Sequence, residues 1–207
     1  MLNASFVTRN ANLSIAVDYI PRQQRERDAG QKARAIWLYG LSGSGKSTLA
    51  NALERRLRTD GMLTFILDGD SLRTGLNRDL GFRDEDRAEN IRRVAEVARL
   101  FLQAGIIVIS AFITPNEQLR NTVRTIIDEE DLIEVYVRCS FERCKERDVK
   151  GLYARAAAGR VPQFTGRDSL FEEPTKPQLI IDTENGTIDE SLALLSQHVL
   201  PRVRPCS

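Results

Sequence analysis

Residues 40–48 read Gly-Leu-Ser-Gly-Ser-Gly-Lys-Ser-Thr, a complete G-x-x-x-x-G-K-[ST] phosphate-binding loop. An apolar run, residues 35–39, precedes the loop and a helix-like segment, residues 48–58, follows it, which is the strand–loop–helix context that a nucleotide site requires. Glycines let the backbone curl so that successive N–H groups face one anion at the positive end of a helix. The motif predicts that a nucleoside triphosphate is held by Gly40, Ser42, Gly43, Ser44, Gly45, Lys46, Ser47 and Thr48.

Two side chains of this loop have predicted chemical roles. Lys46 can reach the β- and γ-phosphates, and the Ser47 hydroxyl can ligate Mg²⁺. The alternative is a Gly/Ser-rich turn that contains Lys-Ser by chance, and the flanking pattern disfavours it.

The composition restricts the class of protein and its partners. The chain has 207 residues, of which 42% are hydrophobic and 29% charged, as expected for one α/β domain with a sizeable core. A net charge of +1 provides no global field for nucleic acid or an anionic membrane, and no apolar stretch is long enough for a transmembrane helix. The three cysteines show no disulfide or zinc pattern, so we expect reduced thiols and a cytoplasmic location.

Short β-rich runs alternate with helical periods from residue 35 onward. The runs are 35–39, 64–67, 106–111, 132–137 and 178–182. The clearest helix between them is 85–104, and a capping box at 187–190 opens a last helix that we expect to end before Pro201. This alternation predicts a doubly wound α/β fold, a parallel sheet with helices on both faces.

The chain divides into an arm and a domain. Residues 1–34 are predicted to be a polar N-terminal arm, mobile or folded as a surface helix, and residues 35–207 the domain. The domain contains a candidate lid segment, about residues 149–177, in which residues 159–177 have few helix signals and three prolines. Long loops of this kind serve as lids or binding loops or are disordered, and a lid that excludes water suits phosphoryl transfer.

Polar side chains follow the second run. Asp68 and Asp70 come at its end, where they could hold Mg²⁺ or a substrate hydroxyl, and Arg73 follows where it could clamp an anion. The plain alternative is an Asp-Gly turn before a capped helix, and the neighbouring phosphate loop favours the functional interpretation.

The next segment is rich in charge of both signs. Arg87 and Asn90 lie three residues apart and therefore on one helical face, which could point at the site or be a solvated surface. Phe82 is a satellite core residue or a stacking platform for a base. After the third run, the Thr114 hydroxyl could contact substrate or start a turn.

In several ordered blocks the chain resembles adenylylsulfate kinase, from about residue 36 to about residue 181. The blocks are G-L-S-G-S-G-K-S-T, L-D-G-D-S-L-R, D-L-G-F-R-D-E-D-R-A-E-N-I-R-R, A-F-I-T-P, R-D-V-K-G-L-Y and F-T-G. The resemblance implies a P-loop kinase fold with a five-stranded parallel sheet and a lid. It also implies transfer of the ATP γ-phosphate, with Mg²⁺, to the 3′-hydroxyl of adenylylsulfate, a step of sulfate activation. Family members are usually homodimers.

The resemblance also implies roles for individual residues. Asp70 matches the carboxylate that orients or deprotonates the 3′-hydroxyl, and Asp68 joins Ser47 at the metal. Arg73, Arg87 and Asn90 match family residues that bind the phosphosulfate group of the substrate. Phe82 and Phe164 match two aromatic residues that stack on the two faces of its adenine. Arg147 matches a residue near the ATP base. Further substrate contacts match Ile113, Thr114, Lys150 and Gln163.

The chain departs from the family pattern at Thr114, where Ser is usual and that Ser has been proposed to be phosphorylated as an intermediate. Direct transfer of the γ-phosphate to the substrate is the better hypothesis. Arg167 and Phe171 replace a usual Ile and Tyr in the lid. Two alternatives stay open: a kinase with another small acceptor, and a nucleotide-binding module that regulates or scaffolds an ATP sulfurylase. Even for the kinase, a functional pairing with ATP sulfurylase is conceivable.

Overall fold

The computed structural model describes residues 19–148, 151–157, 165 and 170–205. A five-stranded sheet runs through these residues, with strands β1 (Ala35–Tyr39), β2 (Thr64–Asp68), β3 (Ile107–Phe112), β4 (Leu132–Arg138) and β5 (Leu179–Asp182). The helices are α1 (Arg22–Ala29), α2 (Lys46–Thr59), α3 (Gly69–Arg73), α4 (Asp84–Gln103), α5 (Glu117–Ile126), α6 (Phe141–Arg147), α7 (Leu152–Ala157) and α8 (Ile188–Val203).

The sheet is parallel throughout, in the order β2-β3-β1-β4-β5. Every residue of β1 and β3 is buried, because both strands are covered on both faces. One apolar cluster packs α4 and α5 against one face, and a second packs α2 and α8 against the other. The predicted fold class and all five predicted strands are confirmed, with ends displaced by one residue at most.

Two further details can be compared with the expectations from the sequence. For the N-terminal arm, expected to be mobile or to form a surface helix, the structure has the helix α1. The prediction that the last helix ends before Pro201 is wrong, because α8 continues to Val203 with Pro201 inside it. Proline there leaves only the carbonyl of Gln197 without its helical donor. The last turn is retained because the Val203 side chain is fully buried and its carbonyl accepts a hydrogen bond from Lys32 N at 2.7 Å.

No helix in the described part of the chain is both long and apolar enough to cross a membrane.

Candidate functional site

The phosphate loop leaves the carboxyl end of β1, and its backbone conformation depends on glycine. Gly40 has φ +154°, and a Cβ there would lie well inside 3.0 Å of the Val137 carbonyl oxygen, a separation that real side chains do not show. Gly45 has φ +96° and opens helix α2. The backbone N–H of Gly40 donates to the Ile113 carbonyl at 3.2 Å, which ties the loop to the end of β3.

Two residues without a predicted role hold the phosphate loop through hydrogen bonds to its carbonyl groups. The Tyr153 hydroxyl donates to the Ser42 carbonyl at 2.7 Å, and the Thr183 hydroxyl donates to the Ser44 carbonyl at 2.8 Å. Arg147 in turn donates to the Thr183 carbonyl. Arg147 therefore lies beside the phosphate loop. Tyr153 ends a block that carries the resemblance, but neither it nor Thr183 had a predicted role, and both reach the loop from segments more than a hundred residues away.

Lys46 begins helix α2 and is 8% exposed. Its ammonium donates to the Leu41 carbonyl at 2.6 Å, so that a cation lies within the curl of the loop. Thr48, two residues further, is exposed on the first turn of α2. Together with the amide groups at the start of α2, the buried ammonium makes the loop an anion site.

Ser47 and Asp68 meet, as the metal-site prediction requires. The Ser47 hydroxyl donates to Asp68 Oδ2 at 2.8 Å, and the other carboxylate oxygen accepts from the Asp70 N–H at 3.0 Å and caps helix α3. A hydroxyl and a carboxylate are hard oxygen ligands, and Mg²⁺ in kinase sites takes only one or two ligands from the protein, beside water and phosphate oxygens. The pair therefore fits Mg²⁺. Within the described ranges, no group of three or more His, Cys, Asp or Glu side chains is arranged to hold a metal ion.

Asp70 lies in the first turn of α3, exposed at the mouth of the site. Arg73 ends the same helix and donates to the carbonyls of Leu80 and Gly81 at 3.1 and 2.8 Å. Burial lowers the pKa of Arg73, and the negative charge of Asp70 acts against that shift. The guanidinium lies 4.2 Å from the centre of the Phe82 ring, which is itself 49% exposed. The partly desolvated guanidinium of Arg73 thus lies against the Phe82 ring and near the Asp70 carboxylate.

Helix α4 contributes Arg87 and Asn90. Arg87 donates to the Phe82 carbonyl at 2.9 Å and to the Thr165 hydroxyl at 2.7 Å, and burial is the main reason that its pKa is lowered, with nearby Arg73 adding to the effect. Asn90 is buried, and its carbonyl oxygen accepts from Asn77 at 2.9 Å. Neither Asn77 nor Thr165 was singled out from the sequence, because a buried amide and a loop threonine carry no local pattern.

Ile113 and Thr114 leave the end of β3 beside the phosphate loop. Thr114 is buried, has φ +42°, and its hydroxyl accepts from the Trp37 indole N–H at 3.0 Å. The predicted contacts Lys150, Gln163 and Phe164 lie outside the described residues. The arrangement that remains is an anion loop, an oxygen pair for a metal, an exposed carboxylate, two guanidiniums and an aromatic face.

Comparison with known proteins supplies names for this arrangement. Residues 32–182 match the family model described as adenylylsulphate kinase. An adenylyl-sulfate kinase of Geotalea uraniireducens is 52% identical over 170 residues, which cover 82% of this chain and 82% of that protein. A probable adenylyl-sulfate kinase of Halalkalibacterium halodurans is 50% identical over 173 residues, 84% of this chain and 86% of the other. The solved structure of the Mycobacterium tuberculosis APS kinase CysC in complex with AMPPNP and APS has a TM-score of 0.76 and 40% identity, and the match covers 83% of this chain and 97% of that one.

Proposed function

The chain belongs to the adenylylsulphate kinase family, and on that premise we propose how its own residues transfer the γ-phosphate of ATP to the 3′-hydroxyl of adenylylsulfate. The products are ADP and 3′-phosphoadenylylsulfate, the activated form of sulfate. One observation supports the assignment above the others. The phosphate loop, Asp70 and the Arg73–Phe82 pair lie at the carboxyl edge of one parallel sheet, so a donor triphosphate and an anionic, aromatic acceptor can meet there.

The donor side uses the loop. The Lys46 ammonium exchanges the Leu41 carbonyl for phosphate oxygens, and the backbone N–H groups of the loop donate hydrogen bonds to the other phosphate oxygens. Ser47 and Asp68 would hold Mg²⁺, which supplies neutralisation of the charge that develops on the transferring group. Thr183 and Tyr153 keep the loop in place through the Ser44 and Ser42 carbonyls.

The acceptor side uses Asp70, the arginines and Phe82. Asp70 accepts a hydrogen bond from the 3′-hydroxyl and orients its oxygen toward the γ-phosphate; in a loose transition state orientation matters more than strong basicity. Arg73 and Arg87 pair with the phosphosulfate, since a guanidinium can bind such an anion with two parallel hydrogen bonds. Phe82 stacks on the adenine, with Phe164 proposed on the other face. Ile113, Asn90, Lys150 and Gln163 are proposed as further contacts to the acceptor.

The transfer is proposed to be direct, without a phosphorylated Thr114. The Thr114 hydroxyl is 1% exposed and already accepts a hydrogen bond from Trp37, a setting that supports a positioning role and not that of a nucleophile.

The assembly and setting belong to the same proposal. We infer a homodimer in the cytoplasm that works in sulfate assimilation, next to an ATP sulfurylase that supplies adenylylsulfate. The exposed side chains of Phe65, on edge strand β2, and of Leu63, just before it, support a second copy. The free thiols of Cys139 and Cys144 support a reducing compartment. Light scattering after size exclusion tests the dimer.

The test of the reaction is ADP release from ATP and Mg²⁺, measured with and without limiting adenylylsulfate, with identification of the phosphorylated product. Adenylylsulfate-dependent release of ADP and a 3′-phosphorylated product are expected. Comparison with other nucleotides and sugars at equal concentration excludes a different acceptor. Tight ATP binding without phosphorylation of any acceptor would replace the kinase with a nucleotide-binding module.

A further inference from the structure

Thr114 has a backbone conformation that its own side chain disfavours. Its φ is +42°, in the left-handed region that favours glycine. A β-branched residue is strained in this region and remains there only where neighbouring groups hold it. On the upstream side the Trp37 indole N–H holds the Thr114 hydroxyl at 3.0 Å. The turn that follows Thr114 must be held by other groups.

Arg120 and Glu172 hold the downstream side. The Pro115 carbonyl accepts from the Glu172 N–H at 2.8 Å and from Arg120 Nη2 at 3.3 Å. Arg120 Nε also donates to the Asn116 carbonyl at 3.3 Å. Both residues therefore bind the backbone directly after Thr114.

Arg120 reaches across to the second segment as well. It is only 2% exposed, donates to the Glu172 carbonyl, and lies 5.3 Å from the centre of the Tyr39 ring and 5.9 Å from that of Phe171. A buried guanidinium with this many main-chain acceptors costs desolvation free energy that a purely apolar core residue would avoid. Its planar fork allows it to join two chain segments at once, which a lysine cannot do.

The Glu172 side chain completes the connection. Its Oε2 accepts from the Glu117 N–H at 2.9 Å, at the first residue of α5, where negative charge is favoured by the helix dipole. Backbone and side chain of one residue thus bind both ends of the turn from Pro115 to Glu117. Phe171, the preceding residue, stacks on Tyr136 with ring centres 5.8 Å apart, which anchors the segment to the sheet.

We propose that Arg120 and Glu172 are positioning residues: together they form a clasp that holds Ile113 and Thr114 in the geometry that binds the acceptor nucleotide. This inference rests on the proposed function, because it assigns Ile113 and Thr114 to the acceptor side. The clasp binds the backbone after Thr114, whereas Trp37 binds the Thr114 side chain, so consecutive residues of the turn are held by separate groups.

The experiment compares Glu172→Ala, Glu172→Gln and Arg120→Lys with Glu173→Ala as the matched control. The Glu173 carboxylate approaches the Tyr136 hydroxyl at 3.5 Å and so faces strand β4. For each variant, kcat, KM for adenylylsulfate, KM for ATP and melting temperature are measured. Trp37 is the only tryptophan of the chain and hydrogen-bonds Thr114, so its fluorescence reports directly on the turn.

For Glu172→Ala we expect KM for adenylylsulfate to rise about tenfold, the effect of one lost hydrogen bond to a charged group. KM for ATP should stay nearly unchanged, and Trp37 emission should change. Glu172→Gln should lie between wild type and Glu172→Ala because its amide oxygen can still accept from Glu117 N–H. Arg120→Lys should share the phenotype of Glu172→Ala, and Glu173→Ala should behave as wild type.

The clasp is refuted if Glu172→Ala equals Glu173→Ala in every readout, or if both KM values rise together with a fall in melting temperature, as for a merely structural residue. Should Arg120→Lys fail to fold, the two Glu172 variants still decide the matter. If the wild type does not phosphorylate adenylylsulfate, the proposed function fails, while Trp37 emission still tests whether the clasp holds the turn.

Discussion

At the scale of single residues, Asp70 places an exposed carboxylate at the mouth of the candidate site. It is exposed in the first turn of α3, where only its backbone N–H is used to cap the helix, by Asp68. Its charge acts on Arg73 of the same helix, where it opposes the lowering of the Arg73 pKa by burial, and it lies at the edge of the sheet that also holds Lys46.

Replacing Asp70 by Asn should separate turnover from ATP binding. The shape is kept while the anionic acceptor is lost, so kcat should fall by about 10²–10⁴-fold, the usual effect of removing a group of this kind. ATP affinity, measured by titration calorimetry, should change little because the loop contacts do not include Asp70. An equal loss of ATP affinity and turnover would mean that Asp70 is a metal ligand or a structural residue.

At Gly40 of the phosphate loop, close packing against the Val137 carbonyl requires a residue without a side chain. A Cβ at this position would collide with the Val137 carbonyl, whereas a Cβ at Gly75 would meet nothing within 4 Å. We expect Gly40→Ala to lower the melting temperature by about 2–12 °C, since overpacking costs about 1–3 kcal/mol and each kcal/mol shifts a domain of this size by about 2–4 °C. ATP affinity should fall as well, because the loop is displaced.

Gly75→Ala is the control for Gly40→Ala and should match wild type in melting temperature and ATP affinity. A Gly40→Ala protein that still binds ATP normally would show that the loop adapts to the added methyl group.

At the scale of elements, helix α4 carries Arg87 and Asn90, which we propose bind the acceptor, and it is tied to the loop before it. Arg93 pairs with Glu89 at 2.9 Å on the helix and with Asp79 at 2.7 Å on the loop. Glu89 also pairs with Arg92 at 2.7 Å. One face of the helix thus orders the segment that leads to Phe82 and Arg87.

Glu89 should make the stability of the protein depend on pH. Hydrogen bonds from Arg92, and next from Arg93, lower the pKa of Glu89 from 4.5 to about 2. Because the folded-state pKa lies below the unfolded value, ionised Glu89 stabilises the folded protein. This stabilisation is fully present above pH 4.5 and is lost as the pH falls through about 2. Since Glu89 is about one third exposed, solvent limits the effect to under about 1 kcal/mol.

We therefore expect Glu89→Gln to destabilise the protein slightly at pH 7 and to be indistinguishable from wild type near pH 2, in urea unfolding at each pH. Glu85→Gln, at an exposed position of the same helix, controls for the loss of one charge. A destabilisation that stays constant across this pH range would mean that Glu89 acts through packing.

At the scale of the whole molecule, Asp131 joins three segments at the amino edge of the sheet. It accepts from Arg22 of α1 at 2.8 Å and from Arg34, just before β1, at 2.9 Å, and its own carbonyl accepts from Ala35 N at 2.8 Å. Burial alone would lower the pKa of Arg22, but the hydrogen bond and charge of Asp131 outweigh it, and the pKa is raised. Helix α1 is held to the body of the protein at this point.

Asp131→Asn should destabilise the whole fold by about 2–3 kcal/mol, because the mostly buried guanidinium of Arg34 loses the Asp131 anion and that of Arg22 keeps only its pair with Glu26 at 2.9 Å. Chemical denaturation measures the change, with Glu130→Gln, an exposed neighbour, as control. kcat should be unchanged, since Asp131 lies at the edge of the sheet opposite the phosphate loop. A matching loss of kcat would mean that the two edges are coupled.

The sequence alone determined the local features of this protein. The loop 40–48, the strands and the capping box at Thr187 are set by spacing, glycine conformation and hydrogen bonds between residues close in the chain, so they can be read without a structure. Asp70, Arg73 and Arg87 could be singled out because they follow a strand or share a helical face within contiguous blocks, and the roles that the resemblance implies for them stay predictions. The helix end predicted before Pro201 was wrong because the cost of proline inside a helix is offset by the burial of Val203 against distant parts of the chain.

Only the tertiary structure decided what supports those residues. Tyr153 and Thr183 reach the phosphate loop across 111 and 139 residues, and Arg120 reaches Glu172 across 52. Such contacts depend on the strand order, which places β3 between β1 and β2 and so brings the turn at Thr114 beside the phosphate loop. No local pattern encodes that order. It arises when the two apolar faces of the sheet are buried together, and the strained turn at Thr114 exists only because the folded surroundings hold it.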